Sequence, residues 1–211
     1  MLTIDCEQGS RDWFSSRLGK VSASSMHKII TPTGRESTQY SKYMDQLIAE
    51  VMTGRSAETF QGNKHTERGK ELEAEAADYY AFLRGVDPVK VGFCLTDDET
   101  LGCSPDRLIG DDGLLEIKVP APETAVEYMR QEVDGKGKLE QEYRPQTQSQ
   151  LLVTGRKWVD TMCYLPGAPR QLIIRSTRNG DFLLTMNTLL KKFHQEMNGR
   201  LTSLREKGWV E

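Results

Sequence analysis

The 211-residue sequence contains no apolar run near the roughly 20 residues that a membrane-spanning helix needs. Its first residues, Met1-Leu2-Thr3-Ile4-Asp5-Cys6, hold no basic stretch followed by an apolar one, so no secretory leader is expected. There is no Cys-x-x-Cys pair. Cys6, Cys94, Cys103 and Cys163 are scattered, which reads as reduced thiols in a cytoplasmic protein. His27, His65 and His194 stand at no ligand spacing from them, so zinc is not expected. Positive charge is not in excess: 28 Lys and Arg face 31 Asp and Glu, for a net charge of −3. That argues against a DNA binder working by charge alone, and leaves room for an enzyme with a local basic channel. No internal repeat or low-complexity tract is present. The length and a 37% hydrophobic content point to a single domain, residues 1–211, with a real core.

What the sequence does contain is a charged hairpin. Residues 103–118 (Cys-Ser-Pro-Asp-Arg-Leu-Ile-Gly-Asp-Asp-Gly-Leu-Leu-Glu-Ile-Lys) read as two short strands around an Asp-Gly turn. Strand side chains alternate between faces, so Glu116 and Lys118 share one face while Leu115, Ile117 and Val119 share the other. Asp106, on the preceding strand, is expected roughly opposite Glu116. Two carboxylates and an ammonium then converge. Like charges this close need a cation, and oxygen ligands suit Mg²⁺ or Mn²⁺.

The flanking segments add to this. Residues 10–18 predict a short helix stopping at Gly19, and a second helix is expected from Ser22, as its N-cap, to just before Thr31-Pro32. Arg17 and serines 22, 24 and 25 would then cluster at a helix N-terminus as an anion site; capping serines and a surface arginine are the plainer reading. Tyr40, Tyr43, Met44, Leu47, Ile48 and Val51 form a core-facing helical stripe over 39–53. Residues 55–68, with Arg55, Lys64, His65 and Arg68, either border a DNA channel or form a solvated loop. In a helix over about 68–84, Leu72, Ala76, Ala77, Tyr80 and Leu83 fall on one arc, and Glu73 lies inside it. A carboxylate there needs either a metal or an arginine partner.

Strands are expected at 86–96 and 101–103, a helix near 122–131, and a partly basic loop at 134–140. A helix over 142–155 would carry Pro145 in its first turn, with Gln146 and Gln150 on one face. Two strands, 158–164 and 171–175, precede a long amphipathic helix over 181–207 whose other face is basic.

The order of these motifs resembles the PD-(D/E)xK nuclease core, with Pro105-Asp106 and Glu116-x-Lys118 in the defining places. Five ordered motifs narrow the resemblance: Arg17-Leu18-Gly19 with Ala23-Ser24, Arg68-Gly69-Lys70-Glu71-Leu72-Glu73, Ser104-Pro105-Asp106, Leu115-Glu116-Ile117-Lys118, and Gln146-Thr147-Gln148. Over residues 10–165 the chain is similar to the phage lambda-type alkaline exonucleases, the YqaJ-like viral recombinase nucleases. The resemblance implies an α/β fold with a restriction-endonuclease-like core, a central mixed sheet flanked by helices, and a long C-terminal helix.

It also implies roles. Glu73, Asp106 and Glu116, with the Ile117 carbonyl, match the metal ligands, for two Mg²⁺ ions or Mn²⁺ in their place. Lys118 matches the catalytic lysine and Gln146 the site glutamine. Arg17, Ser24 and Ser104 match residues that hold a 5′-phosphate. The implied activity is digestion of the 5′ strand of linear double-stranded DNA to mononucleotides, leaving a 3′ overhang. The implied setting is a homotrimer ring beside a single-strand annealing protein, in the cytoplasm of a bacterial host. Two places depart from the family pattern. The apolar Leu-Ala-Trp before the glutamate helix is here Thr66-Glu67-Arg68, so His65 or Thr66 would line that place. Residues 131–142 also differ. Alternatives are an endonuclease or single-strand nuclease of the same fold, or a non-catalytic DNA-end-binding subunit.

Overall fold

In a computed structural model, residues 1–56 and 64–210 are described, residues 64–71 by their backbone alone. Among the described residues, nine strands make two mixed sheets. The first has the order β1 (Leu2–Ile4), β4 (Phe93–Leu95), β5 (Leu101–Cys103), β2 (Val21–Ser22). The second has the order β3 (Pro88–Val89), β6 (Arg107–Ile109), β7 (Gly113–Lys118), β8 (Trp158–Cys163), β9 (Leu172–Thr177). The β2/β5 and β7/β8 pairs are parallel and the others antiparallel. Ser104-Pro105-Asp106 therefore links β5 of the first sheet to β6 of the second.

Among the described residues, six α-helices cover these sheets: α1 (Arg11–Arg17), α2 (Tyr40–Thr53), α3 (Lys64–Arg84), α4 (Pro122–Val133), α5 (Lys138–Thr154) and α6 (Gly180–Glu206). The expected stripes are core except at Val51, which the last turn of the helix over 40–53 leaves exposed. Tyr40, Tyr43, Met44 and Leu47 of α2 pack with Phe182, Met186, Phe193 and Met197 of α6 over the first sheet. On the second sheet, Leu115 and Ile117 meet Ala76, Ala77 and Tyr80 of α3. Leu114 and Val159, on the opposite face, meet Leu151 of α5. The hairpin strands thus sit between α3 and α5, and each face has a distinct job.

Several expectations are corrected. The segment after Ser22 is a six-residue 3₁₀ helix, Ala23–Lys28, and the Ser22 side chain caps nothing because it is engaged by neighbouring side chains. The strand expected over 86–96 is two strands in different sheets. It breaks at Gly92, where a Cβ would lie 2.3 Å from the Ile4 carbonyl oxygen. The loop expected over 134–140 is only 134–137, because α5 begins at Lys138 after Gly137 in the left-handed region. Pro145 is consequently inside α5 and not in its first turn. Leu83 is half exposed, since the last turn of α3 leads into Gly85 rather than over the core.

Candidate active site

The register of the hairpin determines the site. Arg107 pairs with Leu115 and Ile109 with Gly113, so the next position outward sets Asp106 against Glu116. Asp106 Oδ2 accepts the Ile117 backbone N–H at 2.5 Å, which holds the first carboxylate to the strand carrying the second. Glu116 is buried, 4% exposed. Its Oε1 accepts from Lys118 Nζ at 2.7 Å and from Gln146 Nε2 at 2.6 Å. Its Oε2 accepts from Gln150 Nε2 at 2.5 Å. Lys118 Nζ also donates to Gln146 Oε1 at 3.1 Å and lies 4.3 Å from the Tyr143 ring centre. Asp106, Glu116, Lys118 and Gln146 therefore meet on the α5 side of the sheet.

The electrostatics follow from burial and crowding. Burial pushes the Asp106 carboxyl well above the usual carboxylate range, and the charges of Glu116 and Glu73 push it further; the Ile117 N–H and Lys118 oppose them. For Lys118, burial by itself disfavours the ammonium, but Glu116 alongside more than offsets it, and the pKa stands above the ordinary lysine value. Lys118 is a proton-holding donor at neutral pH.

Glu73 approaches from the other side. It is on α3, and Arg107 Nη1 donates to its Oε1 at 2.7 Å. Arg107 is almost fully buried and lies in register with Leu115, on the α3 face. Glu73 thus has the arginine partner, and its charge still reaches Asp106. Among the described residues, no three Asp, Glu, His or Cys side chains converge closely enough to hold a metal as they stand. The donor set nevertheless fits a hard divalent cation. Three carboxylates and a backbone carbonyl are oxygen ligands, and an excess of buried negative charge at Asp106 is what such an ion would relieve.

A second cluster lies beside the first. Trp13 Nε1 donates to Ser104 Oγ at 2.7 Å. The Arg17 guanidinium lies 4.0 Å from the Trp13 ring centre and Arg17 Nη2 donates to Ser22 Oγ at 3.3 Å. Ser22 Oγ is 3.2 Å from Ser24 Oγ. Arg17, Ser24 and Ser104 are joined by this chain of contacts, although they come from three separate segments. Arg17, Lys20 and Ser22 line a cleft that the buried Glu50 also borders. Ser104 is two residues from Asp106, at most about 7 Å along the backbone, so the cluster adjoins the carboxylates.

Arg107, Trp13 and Tyr143 carried no expected site role, and Gln150 only a modest one. Trp13 had one signal, its place four residues before Arg17 on a helix. Gln150 had its shared face with Gln146. Arg107 is adjacent to Asp106 but is aimed at the other sheet face, and Tyr143 carries no pattern. The side chains of Lys64, His65, Thr66 and Arg68, read as either bordering a DNA channel or lying in a solvated loop, lie outside the described residues.

The YqaJ-like viral recombinase domain matches residues 12–157. Among solved structures, the alkaline exonuclease LHK-Exo from Laribacter hongkongensis is similar, at 31% identity and a TM-score of 0.81, over 94% of this chain and 98% of its own. Its complex with dAMP is equally similar. A phage related exonuclease from Haemophilus somnus 129PT shares the fold, at 16% identity and a TM-score of 0.69, over 88% of this chain and 96% of its own. No curated protein matches.

Proposed function

The chain belongs to the YqaJ-like viral recombinase family and is a nuclease, and we propose that it is a Mg²⁺-dependent exonuclease degrading the 5′-terminated strand of linear double-stranded DNA. One observation carries this reading. The Asp106/Glu116/Lys118 group, where a phosphodiester would be cut, adjoins the Arg17/Ser24/Ser104 group, where a terminal phosphate would be held. An enzyme cutting at internal positions has no use for the second.

Asp106, Glu116, Glu73 and the Ile117 carbonyl would hold two Mg²⁺ ions, or Mn²⁺; Glu73 would exchange Arg107 for the cation. When bound, such ions neutralise charge on the scissile phosphate and acidify water. The chain's own groups do the rest. Lys118, kept as an ammonium by Glu116, donates to phosphate oxygens as their charge grows. Gln146 bonds both Lys118 and Glu116 and so holds the two side chains together ahead of the reaction. Arg17 and the Ser24 and Ser104 hydroxyls offer charged and neutral donors to a terminal phosphate. Gripping the terminus beside the cutting group favours release of one nucleotide per step. That LHK-Exo has been crystallised with dAMP, a mononucleotide, is in keeping with this product.

The resemblance further supports a homotrimer ring, a single-strand annealing partner that takes up the 3′ overhang, and work in the bacterial cytoplasm. No helix among the described residues is long and apolar enough to cross a membrane. The test of the end requirement is a comparison of linear with covalently closed circular duplex in Mg²⁺. Loss of the linear form alone supports an exonuclease; equal loss of both overturns it.

A further inference from the structure

Two glutamine amides one turn apart on α5 grip the same carboxylate, and they are not equivalent. Gln146 uses both its polar atoms, donating to Glu116 Oε1 and accepting from Lys118. It is only partly buried, as expected for a residue bordering a substrate. Gln150 is 1% exposed and lies too deep to meet DNA. Its Nε2 donates to Glu116 Oε2 at 2.5 Å. Its Oε1 has no protein partner among the described residues. Leaving a buried amide oxygen unmatched costs stability that an apolar side chain at this position would avoid. Packing alone therefore does not account for the residue.

The contacts of Glu116 show what Gln150 contributes. Lys118 and Gln146 both act on Oε1, and a carboxylate held through one oxygen can still swing about its terminal torsion. The Gln150 contact on Oε2 is the one that fixes the plane of the group. Resting on the metal-nuclease reading above, we infer that Gln150 is a positioning residue that sets the orientation of the Glu116 carboxylate and so the protein's affinity for a divalent cation. Outer partners that orient a ligating group act in this way, and their loss typically weakens binding about ten- to hundredfold.

The experiment is Mn²⁺ binding to the DNA-free protein, measured by calorimetry, for the wild type, Glu116→Gln, Gln150→Met and Gln150→Ser. Methionine has the same length without the hydrogen-bonding groups. Serine lacks the reach and admits solvent. Expected is a dissociation constant for Mn²⁺ raised about ten- to hundredfold in both Gln150 variants, with the metal-free Gln150→Met protein still folded and unfolding cooperatively. The Mg²⁺ concentration for half-maximal nuclease activity should rise by a similar factor, while the rate at saturating Mg²⁺ falls less. Wild-type Mn²⁺ affinity in either folded variant overturns the inference, and so does failure of both to fold, since the amide would then serve the fold. If the wild type binds no Mn²⁺, the metal-nuclease reading itself fails. If the wild type binds, Glu116→Gln does not and Gln150→Met binds normally, only the positioning role fails.

Discussion

Trp13 donates its indole N–H to Ser104 Oγ at 2.7 Å across 91 residues of sequence. That one bond ties the helix carrying Arg17 to the link carrying Asp106, and hence the proposed end-holding group to the proposed cutting group. Replacing Trp13 by Phe keeps an aromatic face under Arg17 and removes the bond. A hydrogen bond of this kind is worth about 0.5–1.5 kcal/mol, so initiation on 5′-phosphorylated duplex should slow about two- to tenfold. The check is the initial rate on 5′-phosphoryl against 5′-hydroxyl ends. The wild-type preference for phosphate should shrink in Trp13→Phe; an unchanged ratio would mean that the bond plays no part in reading the end.

The cutting group should be indispensable to activity and dispensable to folding. Lys118→Met and Asp106→Asn should each lower single-turnover cleavage by at least about a hundredfold. Asp106→Asn keeps an acceptor for the Ile117 N–H and removes a charge crowded by Glu116 and Glu73. Its thermal unfolding in chelator should therefore occur above that of the wild type. Adding Mn²⁺ should raise the wild-type unfolding temperature and leave the variant nearly unmoved. Calorimetric scans with and without metal read both effects.

Arg107 is almost fully buried and Glu73 is about a third exposed, at 5% and 30% of their side chains. Arg107→Met removes the counter-charge and leaves Glu73 facing Asp106. A cost of about 2–4 kcal/mol is expected, toward the lower end because Glu73 keeps some water. Adding Glu73→Gln to that variant should restore most of the loss. Urea unfolding of the two single variants and the double variant measures the coupling.

One pH effect is separate from the site. His194 on α6 is partly buried, and burial lowers its pKa from the usual 6.5 against the opposing bond to the Thr100 carbonyl at 3.0 Å. The unfolded chain takes up this proton first, so stability should fall as pH drops through and below about 6.5. His194→Gln retains an N–H donor without a titrating ring. Its unfolding midpoint between pH 7.5 and pH 5 should decline less than that of the wild type, as followed by urea titration at each pH.

The hairpin was legible because period-2 alternation and an Asp-Gly turn are local signals. They were enough to set Asp106 opposite Glu116, and the register of β6 on β7 agrees. Glu73 stood out because helical spacing put it inside an apolar arc; that it would meet an arginine was one of two readings left open, and which arginine was not legible. The division into two sheets was not legible. It depends on which strands pair over long separations, and residues 86–96 read as one continuous strand although their ends belong to different sheets. Pro145 misplaced the start of α5 because a proline commonly opens a helix, whereas here the two preceding turns already hold Leu139 in the core. Gln150 and Trp13 escaped for a related reason. Each reaches the site through a bond to a residue 34 or 91 positions away, and no local pattern encodes such a bond.

The central claim, cutting from a held 5′ end with a divalent cation, is tested most directly on linear duplex labelled at either the 5′ or the 3′ terminus. In Mg²⁺, the 5′ label should leave at once as a mononucleotide while the 3′ label stays on a long single strand, and EDTA should stop both events. Early release of the 3′ label, internal fragments, or cleavage that persists under complete chelation would contradict the account.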